Sequence, residues 1–247
     1  MSEVLYGRNA VRECLRARRR QLHRLYLAKN LNPHPLLQEI AQQTTRLRIP
    51  VFEVQRNQLD KYGTGHQGVA LEVGPHPGNS VDELLAQADQ KCEMPFLLAL
   101  DHLEDPQNVG ALLRTAEAVG VQGVIIPERR AVGITPAVVK ASAGASEHLP
   151  VAIVTNLVQT LKTLKQRGVW VIGAEKTTSA QPYHTIDLNM PLVLVLGSEG
   201  KGLARLVAET CDLLLAIPMQ GHVNSLNVSV AGGLLLFEAW RARQGGA

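Results

Sequence analysis

The fold of this chain is decided by the stretch Leu192-Val-Leu-Val-Leu-Gly197-Ser-Glu199-Gly200-Lys-Gly202-Leu203. Consecutive apolar residues before a glycine are typical of a strand buried on both faces, and the following glycines predict a tight turn before a helix over 203–210. Glycines there let backbone groups approach a ligand closely. The spacing fits neither the Walker loop nor the dinucleotide fingerprint, so we expect a ligand other than a nucleotide phosphate.

A second strand and turn follow towards the C-terminus. Residues 212–217 form another short apolar run, which Pro218 ends because proline cannot donate to a strand ladder. The loop after it is rich in hydrogen-bonding groups, and Ser225 or Asn227 is placed to cap a helix that runs to about residue 243. Taken alone, these residues fit a ligand site and an ordinary capped helix equally well.

A third segment of the same kind lies upstream, over residues 97–120. An apolar run ends at Asp101, and a helix is expected from about residue 107, with Asn108 in its first turn and Arg114 almost two turns further along. The helix therefore presents an amide and a guanidinium towards the strand ends. The acidic residues of the turn, 101–105, suggest a metal site only weakly, because adjacent acids in turns are more often solvated or capping. We expect no metal.

Further strands over 96–101, 123–127, 151–154, 169–173, 192–196 and 213–217 alternate with helical stretches, which predicts an α/β domain with a mostly parallel sheet. The three segments, in this order, resemble the three motifs of the SpoU (TrmH) group of SPOUT methyltransferases, and within it the 23S ribosomal RNA guanosine 2′-O-methyltransferases of the RlmB type. The resemblance implies a trefoil knot around motifs two and three, a homodimer, and methyl transfer from S-adenosylmethionine to a ribose 2′-hydroxyl of RNA.

The resemblance also nominates site residues. It implies that Glu199 holds Arg114 or the substrate ribose, that Asn108 orients the arginine, and that Arg114 contacts the target phosphate and hydroxyl. The nominated catalytic residues are Asn108, Arg114, Glu199, Ser225 and Asn227. The nominated cofactor-binding residues are Leu196, Gly197, Gly200, Ile217, Met219 and Leu226.

The first part of the chain predicts a separate small domain. Tyr6 to Val11 and Gly65 to Val69 resemble the RNA-binding domain of the same family, which has a ribosomal-protein-like α/β fold. We expect an RNA-binding domain over 1–73, a linker with a short helix over 74–94, and the SPOUT domain over 95–247. The linker helix is expected because Ser80-Val-Asp-Glu83 is a capping box.

Candidate RNA-binding residues in this domain are Arg8, Arg12, Arg16, His66 and Gln67. The three arginines recur every fourth residue, so on a helix they share one stripe that suits a phosphate backbone, although a solvated helix face explains the stripe equally well. His66 and Gln67 are placed to stack on or bond to an unpaired base, but their loop is equally a hairpin connection.

Composition limits the remaining possibilities. The first 30 residues hold eight Lys and Arg against two Glu, whereas the chain as a whole has a net charge of only +3. Three scattered cysteines indicate neither a disulfide framework nor a zinc site, and the absence of a long apolar run or a leader pattern leads us to expect a cytoplasmic protein. The alternative functions are a transfer-RNA ribose 2′-O-methyltransferase and a noncatalytic RNA-binding assembly factor.

Overall fold

The structure, a computed structural model, describes residues 2–222 and 225–245. Its helices and strands, in chain order, are β1 Glu3–Tyr6, α1 Arg8–Ala17, β2 Leu22–Ala28, α2 Pro35–Arg46, β3 Val51–Val54, β4 Val69–Val73, α3 Val81–Gln90, β5 Phe96–Asp101, α4 Pro106–Ala118, β6 Gly123–Pro127, α5 Pro136–Ala141, β7 Val151–Val154, α6 Leu157–Gln166, β8 Trp170–Ala174, β9 Gln181–Pro182, β10 Leu192–Gly197, α7 Arg205–Thr210, β11 Leu213–Ala216 and α8 Val228–Gln244. Short 3-10 turns lie at Arg56–Tyr62, Ala145–Glu147 and Tyr183–Thr185.

The chain folds into two compact units. Unit 1 comprises residues 1–77 and 134–148, and unit 2 comprises residues 78–133 and 149–247. The sequence-based division ended the first domain at residue 73 and assigned all of 95–247 to the second. Residues 134–148 instead pack within unit 1, where the carboxylate of Glu147 accepts hydrogen bonds of 2.8–3.1 Å from the fully buried guanidinium of Arg20. Sequence patterns do not reveal a pair separated by 127 positions.

Unit 1 is built on a four-stranded sheet in the order β1-β4-β2-β3, in which only β2 and β3 run parallel. Strand β1 was not predicted from the sequence. Successive residues of a strand point to opposite faces, and the row of Leu5, Leu25 and Leu71 is completely buried on one of them. Helix α1 packs against β1 and β4 and against α2.

Unit 2 is a seven-stranded sheet in the order β7-β6-β5-β10-β8-β11-β9, and all its named strands run parallel. The central strands β5 and β10 are buried at every residue, as expected for a parallel sheet covered on both faces. The α/β fold and the mostly parallel sheet predicted from the sequence are confirmed.

The strand order reverses at β5: β6 and β7 extend the sheet on one side of β5, and β10 is its neighbour on the other side. Ligands of open parallel sheets bind outside the carboxyl ends of the strands at such a reversal. Here the register pairs Gly197 with Asp101 and Leu196 with Ala174, so β5, β10 and β8 end side by side. The fold therefore brings the first and second motifs to one edge of unit 2.

The linker predicted over 74–94 contains a helix, α3, which packs into the core of unit 2. Ser80 and Glu83 form the predicted capping box, and Leu84 and Leu85 lie in the main apolar cluster of that unit. Within the described residues, no helix is long and apolar enough to cross a membrane.

Candidate active site at the strand ends of unit 2

A cleft of about 270 Å³ lies at the carboxyl ends of β8, β10 and β11. The structure brings all six residues nominated for the cofactor to its wall: Leu196, Gly197, Gly200, Ile217, Met219 and Leu226. Ser225 lines the same cleft, while Asn224, which belongs to the third motif, lies outside the described residues. Four separate stretches of chain thus form one pocket whose wall is partly aliphatic and partly backbone.

Close backbone packing shapes the glycine-rich turn of this cleft. Ser198 and Gly202 exchange two backbone hydrogen bonds, of 3.1 and 2.9 Å. A Cβ atom built on Gly197 would lie 2.2 Å from the carbonyl carbon of Gly202, so no other residue fits there without moving the turn. Gly200 and Gly202 have φ values of +78° and +66°, which glycine adopts without steric cost.

Two carboxylates hold this turn against the sheet. Asp101, which is fully buried at the end of β5, accepts a 2.7 Å hydrogen bond from the backbone N–H of Ala204. Glu175, directly after β8, accepts a 2.8 Å bond from the N–H of Leu203. The sequence suggested Asp101 weakly as a metal ligand; in the structure its carboxylate holds the glycine-rich turn. Within the part of the chain that is described, no group of three or more His, Cys, Asp or Glu side chains is placed to hold a metal ion.

A polar cluster of Asn108, Glu199 and Asn227 links the three motifs. The side-chain amide of Asn227 donates to Oδ1 of Asn108 at 2.9 Å and to Oε1 of Glu199 at 2.5 Å. The same Glu199 oxygen accepts a 3.2 Å bond from the N–H of Val228, in the first turn of α8, where a helix end favours negative charge. Asn227 also caps α8, because its Oδ1 accepts from the N–H of Ser229.

Arg114 does not join this cluster. The resemblance implied that Glu199 would hold Arg114 or the substrate ribose and that Asn108 would orient the arginine; in the structure the side chains of Glu199 and Asn108 both bind Asn227. Arg114 lies six positions after Asn108, which places the two residues about 120° apart around α4 and roughly 9 Å apart along it. The Arg114 side chain is exposed, and no hydrogen bond or ion pair joins it to another described residue.

A second cavity, of about 520 Å³, adjoins the first and shares Ser198, Glu199, Gly202 and Val228 with it. Its remaining wall includes His102, Asp105, Asn108, Arg130 and Lys201. His102 has a positive φ of 58°, and its Nδ1 forms a short hydrogen bond with the buried carboxylate of Asp101, which fixes the orientation of the ring.

Sequence analysis missed three residues that take part in this site. Glu175 and Lys176, after β8, line the cleft that holds the residues nominated for the cofactor, and His102 lines the adjoining cavity. One signal was present in the sequence: Glu175 and His102 immediately follow strands of the parallel sheet, and Lys176 comes one residue later, at the position at which such sheets bind ligands.

Cysteine chemistry takes no part in this site. Burial, followed by the negative charge of neighbouring carboxylates, raises the pKa of the Cys211 thiol to about 12, so the reactive thiolate is scarce near neutral pH. Burial likewise raises the pKa of Cys14 well above its usual range.

The residues nominated for RNA binding lie in unit 1, and the structure engages most of them internally. Arg12 and Arg16 lie within 3.3 Å of the Glu13 carboxylate, and Arg16 also bonds to Glu39. Arg8 binds Gln67, whose side chain and carbonyl accept from its backbone N–H and its Nε. Two of the three arginines are therefore paired with carboxylates within the domain, while the guanidinium of Arg8 forms no ion pair with a carboxylate of the described residues.

His66 is buried inside its loop. Its Nδ1 accepts a 2.9 Å bond from the N–H of Gly68, and its Nε2 lies 3.0 Å from Asp60 Oδ1. Since only 5% of the side chain is exposed, the ring holds the loop and is covered from a stacking base. The hypothesis that His66 reads a base thus finds no support in this conformation.

Comparison with known proteins agrees with this geometry. Residues 95–237 match the SpoU rRNA Methylase family, and residues 4–77 match the family described as RNA 2′-O ribose methyltransferase substrate binding. The protein YacO of Bacillus subtilis (strain 168), assigned to the TrmH family of tRNA/rRNA methyltransferases, is 47% identical over 98% of this chain and 96% of its own length.

Two solved structures extend the comparison. An AdoMet-bound rRNA methyltransferase from Sinorhizobium meliloti is 27% identical and superposes with a TM-score of 0.78 over 97% of this chain and 87% of its own. The TrmH/SpoU tRNA-modifying enzyme of A. aeolicus is 29% identical, with a TM-score of 0.56 over 66% of this chain and 84% of its own. With a matching catalytic domain, a matching substrate-binding domain and the motif residues gathered at one strand-end edge, the chain belongs to the SpoU (TrmH) family of RNA 2′-O-ribose methyltransferases.

Proposed function

We propose that this enzyme methylates the ribose 2′-hydroxyl of a guanosine in 23S ribosomal RNA, with S-adenosylmethionine as the methyl donor. The observation that carries the chemistry is the Asn108–Asn227–Glu199 cluster, which stands where the two cavities of unit 2 meet. One cavity serves the donor and the adjoining cavity serves the acceptor nucleotide.

The residues of the smaller cleft fit S-adenosylmethionine. Its volume is close to the lower end of the roughly 300–1,000 Å³ range of small-molecule sites. Leu196, Ile217, Met219 and Leu226 supply the apolar wall for an adenine ring, and the glycine-rich turn exposes backbone groups for its polar edge. When bound, the cofactor supplies a methyl group already activated on a sulfonium sulfur.

The chain's own residues must then orient the acceptor and remove its proton. A ribose hydroxyl is a poor nucleophile at neutral pH, so its proton must be polarised or taken. Guanidinium groups stay protonated in proteins, so we assign Arg114 the role of a cation that contacts the target phosphate and hydroxyl, and not that of the base. We assign Ser225, which lines the first cavity, and Asn227 to the orientation of the acceptor, and Glu199 keeps Asn227 in place.

The variant Arg114→Ala tests this assignment. Methyl transfer to RNA should be abolished, while calorimetry should show unchanged S-adenosylmethionine binding because Arg114 does not line the donor cleft. Arg167→Ala is the matched control, since Arg167 lies before β8 at the opposite edge of the sheet. Turnover by Arg114→Ala near the wild-type rate would contradict the role of this arginine.

Ribosomal RNA is favoured over transfer RNA by the extent of the structural matches. The S. meliloti rRNA enzyme superposes on 97% of this chain, whereas the A. aeolicus tRNA enzyme superposes on 66%. The decisive experiment maps 2′-O-methyl groups in ribosomal and transfer RNA from cells lacking the protein. One guanosine of 23S RNA should lose its methyl group. An unchanged ribosomal map with a lost transfer-RNA methyl group would favour the alternative substrate.

We further propose that the enzyme is a homodimer formed through α8 and works on ribosomal RNA in the cytoplasm. Helix α8 exposes a row of large apolar side chains, Val230, Leu234, Phe237 and Trp240, each at least 40% accessible. Contiguous exposed apolar surface of this kind is typical of an interaction site. The homodimer is expected from the family resemblance, and the exposed apolar side chains of α8 in unit 2 are the surface that we propose for its interface.

Analytical ultracentrifugation tests the dimer. Phe237→Lys should shift the wild-type dimer to monomer, because a charge would be buried in the interface. Leu206→Lys is the control, since Leu206 is equally exposed on another helix, α7. A wild-type monomer, or a Phe237→Lys variant that dimerises normally, would refute this interface.

A further inference from the structure

All four aromatic residues of unit 1 belong to one face of its sheet. They are Tyr6 on β1, Tyr26 on β2, Phe52 on β3, and Tyr62 at the end of the Arg56–Tyr62 turn. The three tyrosines pack on the small cluster of Ala28, Leu59 and Ala70. The ring centroids of Phe52 and Tyr62 lie 6.1 and 6.2 Å from that of Tyr26. We refer to Tyr26, Phe52 and Tyr62 as the aromatic face.

The aromatic face opens to solvent at Phe52. Strand β3 is the last strand of its sheet, and Phe52 is 47% accessible. A groove of about 650 Å³ lies beside its ring and is lined further by Leu22, His23, Arg24 and Glu72, among others. Burial of an exposed apolar ring is favourable, and exposed apolar surface beside a groove often marks a binding site.

Cations border this aromatic face. The Lys61 ammonium stands 4.8 Å from the centroid of the Tyr62 ring, and the Arg24 side chain is 50% exposed although it pairs with Glu72. Unit 1 as a whole holds 13 Lys and Arg against seven Asp and Glu, so the positive charge of the chain is concentrated here. In the α1 stripe, Arg12 and Arg16 pair with Glu13 and Glu39 and no aromatic ring lies on α1, whereas on this face aromatic and cationic groups coincide.

We propose that the aromatic face binds unpaired nucleotides of the RNA substrate, with a base stacked on Phe52 and phosphates held by Arg24 and Lys61. Single-stranded RNA is bound in this way, by bases stacked on aromatic rings beside cations that follow the backbone. The positive charge of Arg24, Lys61 and unit 1 as a whole favours RNA, a polyanion, over an apolar protein partner. The inference rests on the proposed function, because it assigns a surface for the RNA that unit 2 modifies.

Direct binding of RNA to the full-length protein tests the proposal. The probe is a fluorescein-labelled, purine-rich single strand of about 12 nucleotides, within the site sizes known for such surfaces, and the same sequence as a duplex. Phe52→Ala and Phe52→Leu should weaken single-strand binding about tenfold, since one stacked base is lost. Phe52→Tyr should bind as the wild type does, because it keeps the ring.

Two controls separate stacking from general damage. Val51→Ala removes a side chain that is 48% exposed on the same strand but points to the other face, so RNA binding should not change. Duplex binding should also be the same for every Phe52 variant. Single-strand binding that is unchanged in Phe52→Ala, or fully kept in Phe52→Leu, would overturn the proposal, and so would an equal loss of duplex binding.

Failure of this inference is distinguishable from failure of the proposed function. If the wild type methylates ribosomal RNA but Phe52→Ala binds RNA normally, the aromatic face is refuted and the enzyme assignment stands. If the wild type methylates no RNA while Phe52→Ala loses single-strand affinity, the enzyme assignment is refuted and the aromatic face stands as an RNA-binding surface. If both stand, Phe52→Ala should raise KM for RNA about tenfold and leave kcat unchanged, because Phe52 belongs to unit 1 and the chemistry to unit 2.

Discussion

The variant Gly197→Ala tests whether the donor cleft depends on close backbone packing at the end of β10. The added methyl group would lie 2.2 Å from the carbonyl carbon and 2.3 Å from the oxygen of Gly202, and 2.5 Å from the nitrogen of Leu203. All three are backbone atoms, so no side-chain rotation relieves the contact. The strand end and the turn must separate by roughly 1 Å to restore ordinary packing distances.

Such a displacement has a calculable size. It breaks the two backbone bonds between Ser198 and Gly202, each contributing about 0.5–1.5 kcal/mol net. Overpacking in a tight site costs a further 1–3 kcal/mol, roughly. We therefore expect Gly197→Ala to lower the free energy of unfolding by about 2–6 kcal/mol and, because the turn lines the cleft proposed for the donor, to weaken S-adenosylmethionine binding at least about tenfold.

Urea unfolding and isothermal titration calorimetry measure both effects. Gly133→Ala is the matched control, because Gly133 also lies in unit 2 but has no atom within 4 Å of an added Cβ. Its unfolding free energy should change by less than about 1 kcal/mol, with unaltered cofactor affinity. A Gly197→Ala protein that unfolds at the wild-type urea concentration and binds the cofactor normally would refute the reasoning.

The other predictions concern pH, the polar cluster and thiol reactivity. Burial, with nearby arginine charge, lowers the pKa of His76 from 6.5 to about 4. As the pH drops from 6.5 towards 4, the unfolded chain therefore binds a proton at His76 before the folded chain does, and the free energy of unfolding falls over this range. His76→Gln should remove up to about 3 kcal/mol of that loss in urea titrations at pH 7 and 4; an unchanged loss would contradict this. Asn227→Asp sets a second carboxylate against Glu199 and should slow methyl transfer about 100-fold; a normal rate would show that the cluster is dispensable. Iodoacetamide at pH 8 should modify the exposed Cys92 well before Cys211, as peptide mass spectrometry would show, and equal labelling would argue against the buried thiol.

Much of unit 2 was predictable because its signals are local. Uniform apolar runs mark the central strands of a parallel sheet, and strand ends in such a sheet meet at one edge. The second and third motifs follow strands β10 and β11 directly, so the residues nominated for the cofactor could be expected to share a wall, and the structure places them around one cleft. The family resemblance added the identity of the ligand, which periodicity does not encode.

What the sequence by itself determined was the set of strands, their polar ends and the order of the motifs, because these depend on neighbouring residues and on regular spacing. Only the tertiary structure decided which side chains meet. It joined Asn108, Glu199 and Asn227, left Arg114 on the exposed side of α4, and placed residues 134–148 beside Arg20 in unit 1. The physical reason is that such contacts link residues 28 to 127 positions apart or depend on the rotation of a helix about its own axis, and both are set by packing of the whole chain rather than by local pattern.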